Sequence, residues 1–478
     1  MISPATRAKY TATIGIECHV QLKTKTKLFS AVGNDAREAP PNTLVSHIDF
    51  GLPGALPVLN REAIHLASRA AFALNSTPQK FSKFDRKHYF YPDLPMGYQI
   101  TQYDEPIVVG GSVAIEVDGQ AKTVGITRAH LEADAGKSTH KAGTDYSLVD
   151  LNRAGTPLLE IVSEPDMHSS AEAKAYAHEL YLLMRYADVS DANLYYGNMR
   201  FDVNVSVSQT EELGTRSETK NLNSFRSVEK AVDYEINRQI ELLEKGGKIV
   251  QETRGWDDAK QKTLSQRSKE NADDYRYMPD PDLPPVTLTD DYIAKIKSKM
   301  PELPSQLRER LAGLDLTKEV VEDILDRPDI LDKVLEFLQN GGPRSARSGA
   351  FWLLQTQVEE VSKAMDNINA QRVAELSELR ESNKISSTTA TIVFEKMYFT
   401  DKTPTEIARE LNRLQVSDEG EIAKIVAQVL KDNPKAAEDV KGGETKAIGF
   451  LVGQVMKASK GKANPSLAQD LIKKQLKP

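Results

Sequence analysis

Between residues 128 and 166 the chain sets acidic and basic side chains at spacings suited to holding cations or phosphate. In the alternating run at 124–134, Val124, Ile126, Arg128, His130, Glu132 and Asp134 share one parity. If that run stays extended, Arg128, His130 and Glu132 point to one face, about 7 Å between neighbours at strand rise. Downstream, Glu160 stands among Leu158, Leu159, Ile161 and Val162. A carboxylate in so apolar a strand is costly to bury unless it is paired, metal-bound or facing a cleft. Nearer the N-terminus, residues 12–22 alternate cleanly, with Ile14, Ile16, Cys18, Val20 and Leu22 on a core side and Gly15, Glu17, His19 and Gln21 on the other. Glu17 and His19 are therefore neighbours on one polar face. They are either a solvated strand face or an oxygen and a nitrogen offered to a metal or phosphate.

The stretch AGKST at 135–139 resembles the end of a phosphate loop, but Leu131 stands where the first glycine belongs, and Glu132 and Asp134 would put negative charge inside the cradle. Acids that face a nucleotide make better sense with divalent cations between them and the phosphates. Cys18, the single cysteine, sits on the apolar parity and reads as a buried packing thiol. Residues 84–106 crowd Tyr, Phe, Asp and Pro around Arg86 and Lys87 with little helical period. Such a stretch packs as a structured loop over something, and cations near a carboxylate cluster can bind phosphate or complete a polar channel.

The elements that must position these residues follow from the chain's punctuation. Asp118-Gly119 is a tight-turn signal feeding the 124–134 strand. In residues 199–208, Met199, Phe201, Val203, Val205 and Val207 face a core while Arg200, Asp202, Asn204 and Ser206 face away. Strands with such polar outer faces predict an antiparallel sheet whose open side lines a cleft. Helical spacing covers 62–75, 169–186 and 228–243; Glu218, Lys220 and Asn221 precede the last of these. Four prolines between Pro279 and Pro285 predict a linker, beyond which the pattern is helical, broken once at Asn340-Gly341-Gly342-Pro343.

The chain has 478 residues and a net charge of −7, which argues against a general nucleic-acid coat but not against a local basic patch. From Lys441 onward, eight lysines stand against Glu444 and Asp470, while Ile448, Leu451, Val452, Val455 and Met456 form a helical stripe and Gly449 and Gly453 thin one face. That end is either a solvated helical unit or a contact for an RNA backbone. One cysteine excludes a disulfide framework, no apolar run approaches a membrane span, and the N-terminus lacks a signal-peptide core, so a soluble, cytoplasmic protein is expected.

Taken in order, IGIECHVQL, FDRKHYFYPD, HLEADAGKS, LVDLNRAGTPLLEIVSEPD, MRFDVNVSV, TKNLNSF, QETR and DDYRYMPDPDLPP give the chain its resemblance, from Ile14 to the C-terminus, to the GatB family of bacterial aspartyl/glutamyl-tRNA amidotransferases. The resemblance implies an α+β fold: a glutamine-synthetase-like antiparallel sheet domain, or cradle, over 1–292, an all-α helical domain over 293–405, and a YqeY-like helical tail over 406–478. It implies ATP-dependent phosphorylation of the side-chain carboxylate of glutamate or aspartate esterified to tRNA(Gln) or tRNA(Asn), then attack by ammonia. It implies Mg2+, with Glu17, His19, Glu132, Glu160 and Glu252 as candidate ligands, and His19 alternatively orienting a ligand. Arg200 and Lys220 are candidates to stabilise the acyl phosphate, Lys87 to line the ammonia route, and Lys446, Gly449, Gly453, Lys457 and Lys460 to meet tRNA. The sole cysteine, on a core face, argues against a Cys-His glutaminase here; the resemblance implies that ammonia comes from a GatA-type amidase subunit, with a small GatC-type subunit completing a heterotrimer. The alternative is a tRNA-binding scaffold with the chemistry on a partner; clustered carboxylates, which a scaffold does not need, separate the two.

Overall fold

The computed structural model describes residues 2–141, 143–268, 275–356, 365–414, 419–442, 445–459 and 463–476. The chain divides into two compact units, Met1–Pro304 and Ser305–Pro478.

The first unit is built on a sheet of twelve strands: β1 (Thr11–Gln21), β2 (Asp85–His88), β3 (Tyr98–Thr101), β4 (Val108–Val109), β5 (Ser112–Val117), β6 (Gln120–Ala133), β7 (Pro157–Ser163), β8 (Met199–Ser208), β9 (Ser217–Leu222), β10 (Glu252–Asp257), β11 (Lys262–Ser268) and β12 (Met278–Pro279). The order is β11-β10-β9-β8-β1-β7-β6-β3-β2-β12, with β4 and β5 also paired to β6. Pairing is antiparallel except between β9 and β10. Asp118 and Gly119 both take positive φ, 51° and 77°, and join β5 to β6 as a two-residue hairpin turn. In β1 the alternation is realised: Ile14, Ile16, Cys18 and Val20 are buried, and Glu17 and His19 are half-buried on the other side. The helices α1 (Arg61–Ala73), α2 (Ser170–Tyr186) and α3 (Phe225–Glu244) contribute their apolar stripes to the core under this sheet. Each is started by a side chain that accepts from an orphan backbone N–H, from Asn60, Ser169 and Ser224 respectively.

Two expectations are corrected here. The parity of β6 is not constant: Val124 and Ile126 are buried in the core, but so are Ala129, Leu131 and Ala133. A register shift opposite Val162/Ser163 inserts one extra residue, so Thr127 marks a bulge that turns Arg128, His130 and Glu132 to the open face. The proline-rich stretch is not a linker. Met278 and Pro279 pair with Arg86 and Asp85, Val286 and Thr287 with Ser82 and Phe81, and buried Asp280 accepts from Arg86 at 2.8 Å. Helix α4 (Asp290–Lys297) follows and packs on α1. The division falls at Pro304, after these contacts.

Among its described residues the second unit has helices as its regular elements: α5 (Pro304–Ala312), α6 (Lys318–Leu325), α7 (Pro328–Gln355), α8 (Ala370–Glu381), α9 (Ser387–Met397), α10 (Pro404–Glu410), α11 (Glu419–Asp432), α12 (Pro434–Lys441), α13 (Thr445–Ala458) and α14 (Pro465–Leu476). Gly342, at φ 76° and ψ 177°, breaks α7 where Pro343 cannot continue it. The last four helices close around their own core of Ile422, Val426, Val429, Leu451, Val455 and Leu471. No helix among the described residues is long and apolar enough to cross a membrane.

Candidate functional site: two carboxylate groups on the open sheet face

Register alone brings the first group together. His19 on β1 lies opposite Glu160 on β7, and Glu160 lies opposite His130 on β6. His19 Nε2 is 3.6 Å from Glu160 and 3.7 Å from Glu132; His130 Nε2 is 3.4 Å from Glu160 and 3.9 Å from Glu132. Ligand atoms of His19, Glu132 and Glu160 all lie within 4.8 Å of one another, close enough to share one cation. Burial opposes the charge on Glu160, yet His130, His19 and Lys87 hold its carboxyl well below the usual carboxylate range. Burial and the Glu160 charge push Glu132 up. Burial also opposes protonation of His19, but Glu160 and Glu132 raise it above the ordinary imidazole value. The group thus carries unspent negative charge that protons or a cation must answer.

The second group joins three strands: Glu17 on β1, Asp202 opposite it on β8, and Glu218 on β9, with ligand atoms again within 4.8 Å. Each acid is aimed by a protein donor. Asn204 donates to Glu17 at 3.1 Å, the Asn221 backbone N–H to Asp202 at 2.8 Å, and Thr253 to Glu218 at 3.0 Å. Such partners behind a carboxylate fix its orientation toward a cation. Lys220 sits in this group, with Nζ 3.3 Å from Asp202 and 3.6 Å from Glu218. Burial opposes its charge, but Asp202, Glu218 and Glu17 raise its pKa.

The expected site residues are therefore divided. His19, Glu132 and Glu160 stand together, Glu17 belongs with acids of other strands, and Glu252 joins neither group. Glu252 accepts instead from Arg254 and Ser265. Asp202, Glu218 and His130 complete the groups, although the sequence motifs did not mark them as ligands. The polar parity of MRFDVNVSV pointed to Asp202; the stretch SETKNL offered Glu218 beside Lys220 and Asn221, without a ligand role. Arg200 lies opposite His19 and, with Arg153, contacts Asp134, at 3.5 Å and 2.5 Å. Lys87 lies over the Tyr275 ring, 4.7 Å from its centroid, and Glu132 and Glu160 raise its pKa against burial. Arg86 is committed to Asp280 and Asp282. Cys18 is fully buried, and burial pushes its thiol well up, which removes it as a nucleophile. Lys137 and Ser138 lie in a hairpin strand (Lys137–His140) paired with Ser147–Asp150, so the residues resembling a phosphate loop open no helix.

A cavity adjoins each end of the polar face of β1. One of about 490 Å³ is lined by Gln21, Arg37, Arg153, Tyr195 and Tyr196. The other, about 190 Å³, is lined by Thr13, Gly15, Glu17, Asn204 and Arg216. In the helical unit, Arg344, Arg347 and Arg380 line a cavity of about 790 Å³. Lys446 and Lys457 are exposed on α13, and a Cβ added at Gly449 or Gly453 would meet open space. Lys460 lies outside the described residues.

The sheet unit is that of the GatB/GatE catalytic domain, whose family model matches residues 12–294; a model described as the GatB domain matches 330–476. Bacterial proteins named as the B component of aspartyl/glutamyl-tRNA(Asn/Gln) amidotransferase are similar over nearly the whole length. Those of Caldanaerobacter subterraneus subsp. tengcongensis and Persephonella marina are each 46% identical, covering 98% of this chain and 99% and 100% of their own. That of Brevibacillus brevis is 43% identical over 98% of this chain and 99% of its own. The chain belongs to the GatB family.

Proposed function

We propose that this chain is the subunit of a tRNA-dependent amidotransferase that activates glutamate on tRNA(Gln), aspartate on tRNA(Asn), or both, with ATP, and receives ammonia from a GatA-type partner in a complex with a GatC-type subunit. The observation that carries the reading is the pair of carboxylate groups on one open sheet face, spanned by Glu17 and His19 two residues apart on β1. The donor sets fit Mg2+: five carboxylates, one imidazole, and protein donors that orient the second set. His19, Glu132 and Glu160 would hold one ion, and Glu17, Asp202 and Glu218 another. Bound there, Mg2+ supplies neutralisation of phosphate charge.

The chain's own residues do the rest. Phosphoryl transfer to a carboxylate asks for positioning and charge neutralisation more than for covalent help. Arg200, held by Asp134, presents a guanidinium beside His19 for the substrate carboxylate or the acyl phosphate. Cavities at both ends of β1 suit two substrates meeting over the acids. Lys87, walled by tyrosines and facing Glu132, is placed for the route by which ammonia arrives. The sheet unit acts as the cradle, in the manner of glutamine synthetase. The helical unit, with Arg344, Arg347 and Arg380 and the lysines of α13, meets the RNA backbone. The test is ATP-dependent amide formation on misacylated tRNA by the complex. Glu160→Gln abolishes it while tRNA stays bound; turnover unchanged from wild type leaves only the scaffold reading.

A further inference from the structure

The two groups differ in one respect that the reaction does not explain. Among the described residues, the ion pairs of Glu132 and Glu160 within 4.0 Å are with His19 and His130 alone. The second group already contains a full positive charge. Lys220 extends from β9, the strand that also carries Glu218, and its ammonium lies 3.3 Å and 3.6 Å from the two most buried acids of the trio. Asp202 and Glu218, both 3% exposed, each spend one oxygen on a protein donor. Their other oxygens turn to Lys220, whose side chain remains 32% exposed. A lysine ammonium is a compact point charge on a flexible four-carbon stem.

We propose that Lys220 is the resident counter-cation of the Glu17–Asp202–Glu218 group and that a divalent cation enters this group only by displacing it. The inference rests on the metal reading above and adds an order to it. The His19–Glu132–Glu160 group takes its ion directly. The second group, with one of its three carboxylate charges already answered by its own lysine, takes one weakly until a further ligand, such as a nucleotide phosphate, joins the exchange. The displaced ammonium is then free to turn to that phosphate.

Two measurements on the assembled complex test this. Mn2+ binding followed by electron paramagnetic resonance shows one tighter and one weaker ion for the wild type. In Lys220→Met the weaker ion tightens by about tenfold or more, because a unit charge a few ångströms away is gone, with the tighter one unchanged. Lys220→Arg, which keeps the charge, leaves it weak. Separately, reductive methylation of Lys220, read by mass spectrometry, rises when Mn2+ saturates the complex, since displacement frees the amine. Unaltered Lys220 labelling at saturating Mn2+, or a second ion no tighter in Lys220→Met, overturns the proposal. Should Lys220→Met not assemble, Lys220→Gln takes its place, and the wild-type labelling arm decides by itself. Two ions equally tight with Lys220 present sink the displacement and leave the metal reading standing. No Mn2+ uptake by the wild type sinks both.

Discussion

Glu132 and Glu160 differ in environment although both are deep in the same group. Both stand near the two imidazoles, but these lie closer to Glu160, whose carboxyl is held low against burial chiefly by His130, whereas burial and the Glu160 charge push Glu132 up. Replacing either by Gln keeps the shape and removes a ligand charge. We expect Glu132→Gln and Glu160→Gln each to lower amide formation at least about a hundredfold, since even the partners behind metal ligands are worth 10–100-fold. Asp202→Asn and Glu218→Gln should do the same, and Glu252→Gln, which stands in neither group, should not. Turnover by the complex at saturating tRNA is the measurement, with tRNA affinity retained throughout. At Lys87 the expected outcome is narrower. Lys87→Ala should lower glutamine-dependent amidation more than amidation from free ammonia, with glutamine hydrolysis and ATP cleavage continuing. Equal loss with both nitrogen sources would remove Lys87 from the ammonia route.

At the scale of elements, the acids are held by strand register and register is held from beneath. The bulge at Thr127 is the device that lets one strand feed the core with Val124 and Ile126 and the site with His130 and Glu132. On the other flank, buried Glu235 of α3 ties three strands together. It accepts from Ser217 of β9 at 2.6 Å and from Thr263 of β11, and pairs with Arg254 of β10 at 3.0 Å and with Arg238 at 2.7 Å. Removing one partner of a buried pair leaves charge unanswered, so Glu235→Gln should destabilise the first unit by about 3 kcal/mol. Burial raises the Glu235 pKa, but Arg238, Ser217 and Thr263 outweigh it and the net direction is down. Its contribution is therefore full above the unfolded carboxylate value of about 4.3 and is lost as pH falls through the lower folded value. Urea unfolding of wild type and variant should differ at pH 7 and converge in acid; a difference that persists below the folded value would refute the assignment.

At the scale of the whole chain, each unit carries its own core, so damage to one should stay within it. Cutting the chain at Lys441 is a poor probe of RNA binding, because Leu451, Val455 and Leu471 would be removed from Ile422, Val426 and Val429. Charge reversal leaves that core whole. Lys446→Glu with Lys457→Glu should weaken tRNA binding by the complex and flatten its dependence on salt, since fewer counterions are released. Arg344→Glu and Arg380→Glu, at the helical cavity, should act in the same direction. An affinity and salt slope unchanged by both pairs would place the RNA elsewhere.

The chain's own pattern was enough for the strands at 12–22 and 199–208, the buried cysteine, the Asp118-Gly119 hairpin and the break at Gly342, because period-two alternation and turn chemistry are local. The polar parity of His19 on its strand and the placing of Glu160 in an apolar run were legible for the same reason. The membership of each group was not legible. Which acid meets which depends on strand order and register between segments far apart in sequence, and these separated Glu17 from Glu132 and left Glu252 bonded to its own strand's arginine. A single inserted residue at Thr127 reversed the facing of half a strand, and the Arg86–Asp280 pair turned a proline-rich stretch into part of the sheet. Lys220 beside Glu218 follows from period-two spacing on β9, but its approach to Asp202 follows from packing β9 against β8, a distance no linear spacing encodes.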